Sequence, residues 1–369
     1  MSKRQPVIVD SEGEVLVTGT SARKLRPDLT APDAKQPKQF ATIRQGLGTN
    51  ALTKFRAEGS NTKIDLNGTA TITQGDFILT IPNYTQLTGL KTSTYQLLDA
   101  LTVALTESGA KSPTVVLPLS EYMKRRGLKG RKEAKAQAKA DMEILSGAKF
   151  SWEEKRGGKT ESYKFINLAD SGEVRRNGDI VFTYGLSFYN ILLGYTVMPY
   201  PAQLQRLNSH TNPNSYYLLR KIAELKNINV GHDNEDIISV KTLLDNAPFI
   251  PSYDEVMSSN RNLADRIVKP FERDMNALDD TLTWYYCYSK GKTDDRIEET
   301  PDYSDFITYY VKIIWRDYPD QTERLERKAH RIEEATAKKE KRELAKARAK
   351  GKEEARIEAE ERKKAEEDN

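Results

Sequence analysis

Apolar positions change their period several times along this chain, and each change predicts an element. Between Lys63 and Ile81 apolar and polar residues alternate, as IDLNGTATI and then DFILTI, with Asn67-Gly68 and Gln74-Gly75 at the turns. A period of two predicts a small hairpin. From Thr92 to Thr106 the period lengthens to that of a helix, with Tyr95, Leu98, Leu101, Thr102 and Leu105 on one face, Thr92 or Ser93 as the cap and Gly109 as the stop. The stretch TVVLPLSEYMKRRGLKGRKEAKAQAKADMEILSG predicts a short strand, a helix over Pro118–Arg126, a left-handed turn at Gly127 and a second helix over Lys129–Leu145. Ala134, Ala138, Met142 and Leu145 form the buried stripe of that second helix, and Lys129, Lys132, Ala136 and Lys139 lie opposite. Alternation returns from Ala148 to Phe188, with turns at Gly157-Gly158 and Asn177-Gly178.

The same order of parts then recurs. Asn214–Lys226 is an opening helix, Ser239–Asp245 a short second one and Ser258–Leu278 a third. In the third, Leu263, Ile267, Phe271 and Leu278 share one face, while Arg261, Asn262, Asp265, Lys269 and Asn276 share the other. A strand of mostly aromatic and β-branched residues follows, Leu282–Tyr288, and SKGKT supplies a turn with two lysines. The apolar patch Phe306–Trp315 is expected to pack against this second unit. Helix, helix, helix and basic hairpin, twice over and without obvious residue identity, predict an α+β chain of two tandem winged-helix domains related by internal duplication.

The residues of the second unit carry a resemblance. Arg266-x-Val268-x-Pro270, then Asp274-Met275-Asn276, Asp279, a strand and Lys290-Gly291-Lys292 resemble the second winged-helix domain of iteron-binding plasmid replication initiators. Upstream, IVFTYGLSFYNILLG and LQRLNSHTNPNSYYLLRKIAELKN look like the junction between that family's two winged helices. The match spans roughly the middle half of the chain and is by pattern, since Phe-Glu-Arg-Asp-Met-Asn stands where the family more usually has Glu-Ile-Asn. It implies binding of double-stranded DNA at direct repeats of an origin and help in opening an adjacent AT-rich region. It further implies recruitment of a host replication initiator and the replicative helicase, a monomer–dimer equilibrium, and repression of the chain's own promoter. Alternatives are a dimeric winged-helix transcriptional regulator on inverted repeats, a nicking or priming enzyme of a mobile element, and an adaptor acting through its charged tail.

Composition adds boundaries to this picture. Hydrophobic residues make up 37% of the 369, below the usual globular share, so part of the chain has no core of its own. The ends account for the deficit. Residues 1–50 show no sustained period and read as a flexible basic arm, in which Arg23, Lys24 and Arg26 could touch phosphate. From 319 to 369 the chain becomes almost pure Glu, Lys, Arg and Ala, with Glu323–Arg327, Glu334–Lys338 and Glu358–Arg362 at i,i+4, which predicts a charged helical tail too poor in apolar residues for a coiled coil. The two winged helices are expected at 51–198, with the N-terminal hairpin, and at 199–318. The 58 basic and 54 acidic residues nearly cancel, to a net +4, so local clusters matter more than the total. A single cysteine, Cys287, excludes an internal disulfide or multi-cysteine zinc site and suits a reducing cytoplasm. No apolar run reaches the roughly 20 residues of a membrane span, and no signal-peptide core is present, so a soluble cytoplasmic protein is expected.

Catalysis finds no support in the motifs. Gly158-Lys159-Thr160 and Gly291-Lys292-Thr293 mimic the end of a phosphate-binding loop, but Glu153 and Tyr286 stand where its first glycine belongs. His210, His232 and His330 lack ligand spacing, so no metal and no cofactor are expected. Binding remains. Lys124, Arg125, Arg126, Lys129, Arg131 and Lys132 run without an acid before Glu133, and Lys135 and Lys139 continue along the helix. Lys155, Arg156 and Lys159 sit at the tip of the next hairpin, with Arg175 and Arg176 at the turn after it. In the second unit Arg261, Asn262, Arg266 and Lys269 are candidate readers, Arg for guanine and Asn for adenine, and Lys290 and Lys292 are candidate wing contacts.

Overall fold

The computed structural model describes residues 39–45, 62–74, 77–81, 91–156, 159–232, 234–259, 261–288, 296–297, 302–320 and 322. Nearly all of the expected helical tail and most of the expected arm lie outside them. Phe40–Gln45, placed by sequence in the arm, instead form strand β1. Strands β2 (Thr62–Ile64), β3 (Ala70–Gln74) and β4 (Phe77–Ile81) follow, and Gly68 at φ 75° makes the left-handed turn between the first two.

Helix α1 (Thr92–Glu107), strand β5 (Thr114–Leu117), helices α2 (Leu119–Arg126) and α3 (Arg131–Gly147), strands β6 (Lys149–Arg156), β7 (Lys159–Asn167), β8 (Ala169–Val174) and β9 (Ile180–Tyr184), and helix α4 (Leu186–Gly194) make the first half. Gly127 ends α2 at φ 65°, and the N–H of Leu128 reaches back to the Met123 carbonyl at 2.9 Å, so the chain reverses into α3 as a glycine C-cap allows. The hairpin that directly follows α3 joins the N-terminal hairpin in a five-stranded antiparallel sheet of order β2-β3-β4-β6-β7. The next hairpin pairs with β5, giving a three-stranded sheet of order β5-β9-β8.

Strand β10 (Thr196–Pro201) pairs with β1 and leads to the second half. This comprises α5 (Ser215–Ile228), β11 (Ile237–Ser239), α6 (Val240–Leu244), α7 (Tyr253–Ser258), α8 (Lys269–Asn276), β12 (Leu282–Cys287), β13 (Arg296–Ile297), α9 (Tyr303–Phe306) and β14 (Tyr310–Trp315). The patch at Phe306–Trp315 turns out to supply β14, which lies inside the sheet of order β11-β14-β12-β13. In each half the strand before the second helix therefore pairs with the last strand, not with its neighbour in sequence.

Pro270 lies one residue into α8, and the turn before it, Ala264–Val268, is a wider π turn. A proline has no N–H to give the carbonyl four residues back and its ring crowds that carbonyl, which opens the helix there.

Two hydrophobic cores result, and α1 belongs to both. Leu97, Leu98, Ala100, Leu101 and Leu105 pack in the first core, whereas Tyr95 and Val103 pack in the second beside Tyr200, Tyr216 and Leu219. Twelve of its sixteen residues are buried, so the single apolar face expected from sequence is replaced by burial nearly all round.

Candidate nucleic-acid interface

Both halves fix one later helix, α3 or α8, against the start of their first helix by the same device. In the first, Asp141 of α3 is buried, and its carboxylate accepts from the hydroxyls of Ser93 at 3.0 Å and Thr94 at 2.7 Å, in the first turn of α1, and from Gln137 Nε2 at 3.0 Å. In the second, Asp274 of α8 is buried and accepts from the backbone N–H of Asn214 at 3.0 Å and from its Nδ2 at 2.8 Å, at the start of α5. Asp274 takes an N-terminal backbone N–H of α5, whereas Asp141 takes the hydroxyls in the first turn of α1. Burial, the largest influence, holds the Asp141 carboxyl above its ordinary range against the hydrogen bonds that favour its charge. Asp274 also meets its neighbour Arg273, whose Nε and Nη2 each lie 2.8 Å from Oδ1.

With α3 so held, its buried stripe is the expected Ala134, Ala138, Met142 and Leu145, and Arg131, Lys132, Ala136 and Lys139 are exposed. The turn between β8 and β9 is drawn onto the same surface. Arg131 Nη2 donates to the Asn177 carbonyl at 2.6 Å and Lys135 Nζ to the Arg176 carbonyl at 3.1 Å. That turn is closed by the Gly178 N–H on Arg175 O, with Gly178 at φ 97°, and leaves Arg175 and Arg176 exposed. Arg131, Lys132, Lys135, Lys139, Arg175 and Arg176 thus form one basic surface. Arg175 is shared with Glu173 at 3.3 Å, and Lys139 lies 3.8 Å from Glu143.

Not every predicted cation joins them. Arg125 looks unpaired in sequence, but its Nε lies 2.9 Å from Glu121 and its Nη2 3.0 Å from Glu107, at the end of α1. Arg126 turns inward, giving Nη1 to the Gln205 carbonyl at 3.3 Å beside Tyr122, whose hydroxyl burial pushes up to about 12. Lys124 and Lys129 are exposed and make no ion pair among the described residues. The side chains of Lys155, Arg156 and Lys159 lie outside the described ones, as do Lys290 and Lys292.

On the second half Arg261 and Arg266 are exposed and unpaired among the described residues. Asn262 is exposed, but its Oδ1 accepts from the backbone N–H of Ala264 at 2.8 Å and of Asp265 at 3.3 Å, so its oxygen serves as a helix cap. Lys269 pairs with Asp265 at 2.6 Å.

The junction between the halves is polar at its centre. Asp99 of α1 accepts from Tyr200 at 2.8 Å and Tyr216 at 2.7 Å and forms an ion pair with Arg220 of α5, all four residues being buried. Burial works against the guanidinium charge, but Asp99 and the two tyrosines outweigh it and hold Arg220 protonated. Sequence reading missed Asp99, Asp141 and Arg220, and took Asp274 only as part of a motif, without its buried contact to Asn214. For Asp99 a signal existed, a carboxylate one residue from the apolar stripe at Leu98 and Leu101.

Among the described residues no helix is long and apolar enough to cross a membrane, and no three His, Cys, Asp or Glu side chains gather as a metal set. No family model and no curated protein sequence matches the chain. Among solved structures, the chain is similar to domains 2 and 3 of RctB, at 14% identity and a TM-score of 0.40, over 72% of this chain and 98% of that one. A second structure of RctB domains 2 and 3 matches at 10% identity and a TM-score of 0.38, over 72% of this chain and 96% of that one.

Proposed function

We propose that this chain is a sequence-specific binder of duplex DNA that initiates replication from repeated origin sites, the direct repeats of a plasmid or mobile element, and acts without catalysis of its own. Each half is read as a winged helix. The observation that carries the reading is the surface formed by α3 and the Arg175–Asp179 turn, where the helix's own cations hold the turn beside its exposed face. A helix of this kind enters a major groove while the turn rides the adjoining backbone. Lysines spaced by alanines allow close approach, and the ammonium groups neutralise phosphates. The second half offers Arg261, just before the Asn262 cap, and Arg266, in the π turn that runs into the helix held by Asp274, as base readers. Opening of an AT-rich region, recruitment of a host initiator and helicase, repression of its own promoter and a monomer–dimer equilibrium in the cytoplasm complete the proposal, on the resemblance in the Arg266–Lys292 segment.

Footprinting of the purified chain on the DNA flanking its gene, over a salt series, tests this. Protection of several phased direct repeats is expected, with log affinity falling against log salt by about 0.9 for each phosphate neutralised. A single protected inverted repeat over the promoter would turn the reading to a transcriptional repressor, and indifference to sequence at every salt would end both.

A further inference from the structure

A single 3-10 turn between the halves, Ala202–Gln205, is gripped from three sides. Gln96 of α1 gives Nε2 to the carbonyls of Leu204 at 2.8 Å and Leu207 at 3.1 Å. Arg126, the last residue of α2, gives Nη1 to the Gln205 carbonyl at 3.3 Å. Gln203 reaches the other way and gives Nε2 to the carbonyl of Ala277, the residue that caps the end of α8, at 2.9 Å. We propose that this turn is a strut between the end of α2 and the end of α8, and that Arg126 and Gln203 are positioning residues through which the two halves engage one DNA site as a unit. This role rests on the duplex reading above and deepens it.

The two ends joined by the turn are those that lead to the candidate contacts. Helix α2 passes through Gly127 into α3, so a hold on its last residue is a hold on the start of the helix that carries Lys132 and Lys139. Arg206, next in the chain after the turn, lies along the same glycine, its Cγ 3.9 Å from the place a Cβ would take there. Helix α8 begins at Lys269, and the π turn with Arg266 runs into it. The Asp99–Arg220 pair, by contrast, joins α1 to α5 and touches neither end.

Gln203 is also a poor choice for mere filling. It is buried, and its Oε1 meets no donor among the described residues. An unpaired buried amide atom costs more than one ordinary hydrogen bond returns, and an apolar side chain of like size would fill the space without that cost. The directed bond to Ala277 is what the amide adds. Two linked binders help each other only as far as the link lets both engage together, so a loosened link weakens the whole without touching either contact.

The first arm of the test needs no DNA. Spin labels on Lys132→Cys and Asp279→Cys in the full chain, at two exposed positions with the native Cys287 buried, report the distance between the two ends by pulsed dipolar spectroscopy. One narrow distribution is expected, and Arg126→Met with Gln203→Leu should broaden or split it. Labels on Lys111→Cys and Lys132→Cys, both in the first half, should stay narrow in the same double variant and so report that it is folded. In the second arm, that variant should lose roughly tenfold on a repeat protected in the footprint, and less than about twofold on the same repeat with either part scrambled. Arg126→Lys keeps a donor at the turn and should behave as wild type in both arms. An unchanged distribution in the double variant would overturn the proposal whether or not the chain binds DNA, and so would equal losses on intact and scrambled repeats. A broadened distribution in a chain that protects no duplex would support the strut and end the duplex reading.

Discussion

The two halves share one plan and execute it with different chemistry. In both, a buried aspartate on a later helix, α3 or α8, grips the start of the first helix, but Asp141 does so with neutral donors whereas Asp274 also has a guanidinium. The outer rows differ as well. On α3 the exposed row is Arg131, Lys132, Ala136 and Lys139 beside a tight turn, while the second half presents Arg261 just before the Asn262 cap and Arg266 in the π turn ahead of Pro270. Lysine is a compact charge without directional demand, and arginine a planar fork that matches the acceptors of a guanine edge. On the proposed reading, the lysines of α3 would serve mainly to hold phosphate, and Arg261 and Arg266 to read bases.

The comparison is broken most severely at the junction. Arg220→Met leaves Asp99 buried and uncompensated, and a loss of about 3–5 kcal/mol is expected in urea unfolding, with the halves melting in separate steps. A single transition and a loss below about 1 kcal/mol would show that the apolar surface of α1 alone couples them. Next in size, Asp274→Ala should cost about 3 kcal/mol, since it strips a charged acceptor from several donors, and Asp141→Ala distinctly less. The pH dependence separates the two further. Because Asp141 titrates above its ordinary 3.8 in the folded chain, its contribution to stability is complete below that value and is lost as pH rises through the folded one. Wild-type stability should carry that fall and Asp141→Asn should lack it, which unfolding midpoints across the acid range will register.

Smaller effects sharpen the contrast on DNA. Arg261→Ala and Arg266→Ala should each reduce discrimination between cognate and altered sites by about 1–3 kcal/mol for a base contact made, leaving the salt slope nearly unchanged. Lys132→Ala should do the reverse, flattening the slope by about 0.9 with little change in preference. Equal behaviour of the two sets in competition binding at several salt concentrations would erase the division of labour.

Much of this plan is legible in sequence where one local rule decides. Gly127 and the stripe from Ala134 to Leu145 needed only a turn and a helical period. What stayed hidden depends on residues distant in the chain. Arg125 looks free until Glu107 is folded against it from 18 positions away. Alternation marks β6, β7 and β9 as strands and passes over β8, and it cannot tell which sheet each joins, because the period is the same in both. The π turn before Pro270 and the cap made by Asn262 alter which atoms of a candidate reader are available, and neither has a periodic signature. Asp141 and Asp274 escape because one carboxylate in a helix reads as surface until its donors on another helix are known.

The double membership of α1 fixes more than stability. Since one helix serves both cores, the separation of the two outer helices behaves as a caliper set at folding and not as a tether of adjustable reach. If both helices read duplex DNA as proposed, whose B-form turns once in about 10–10.5 base pairs, such a caliper must meet its two marks in helical phase. Lengthening the gap within a recognised repeat by half a turn would carry the second mark to the far side of the duplex, and lengthening it by a full turn would restore its face but not its distance.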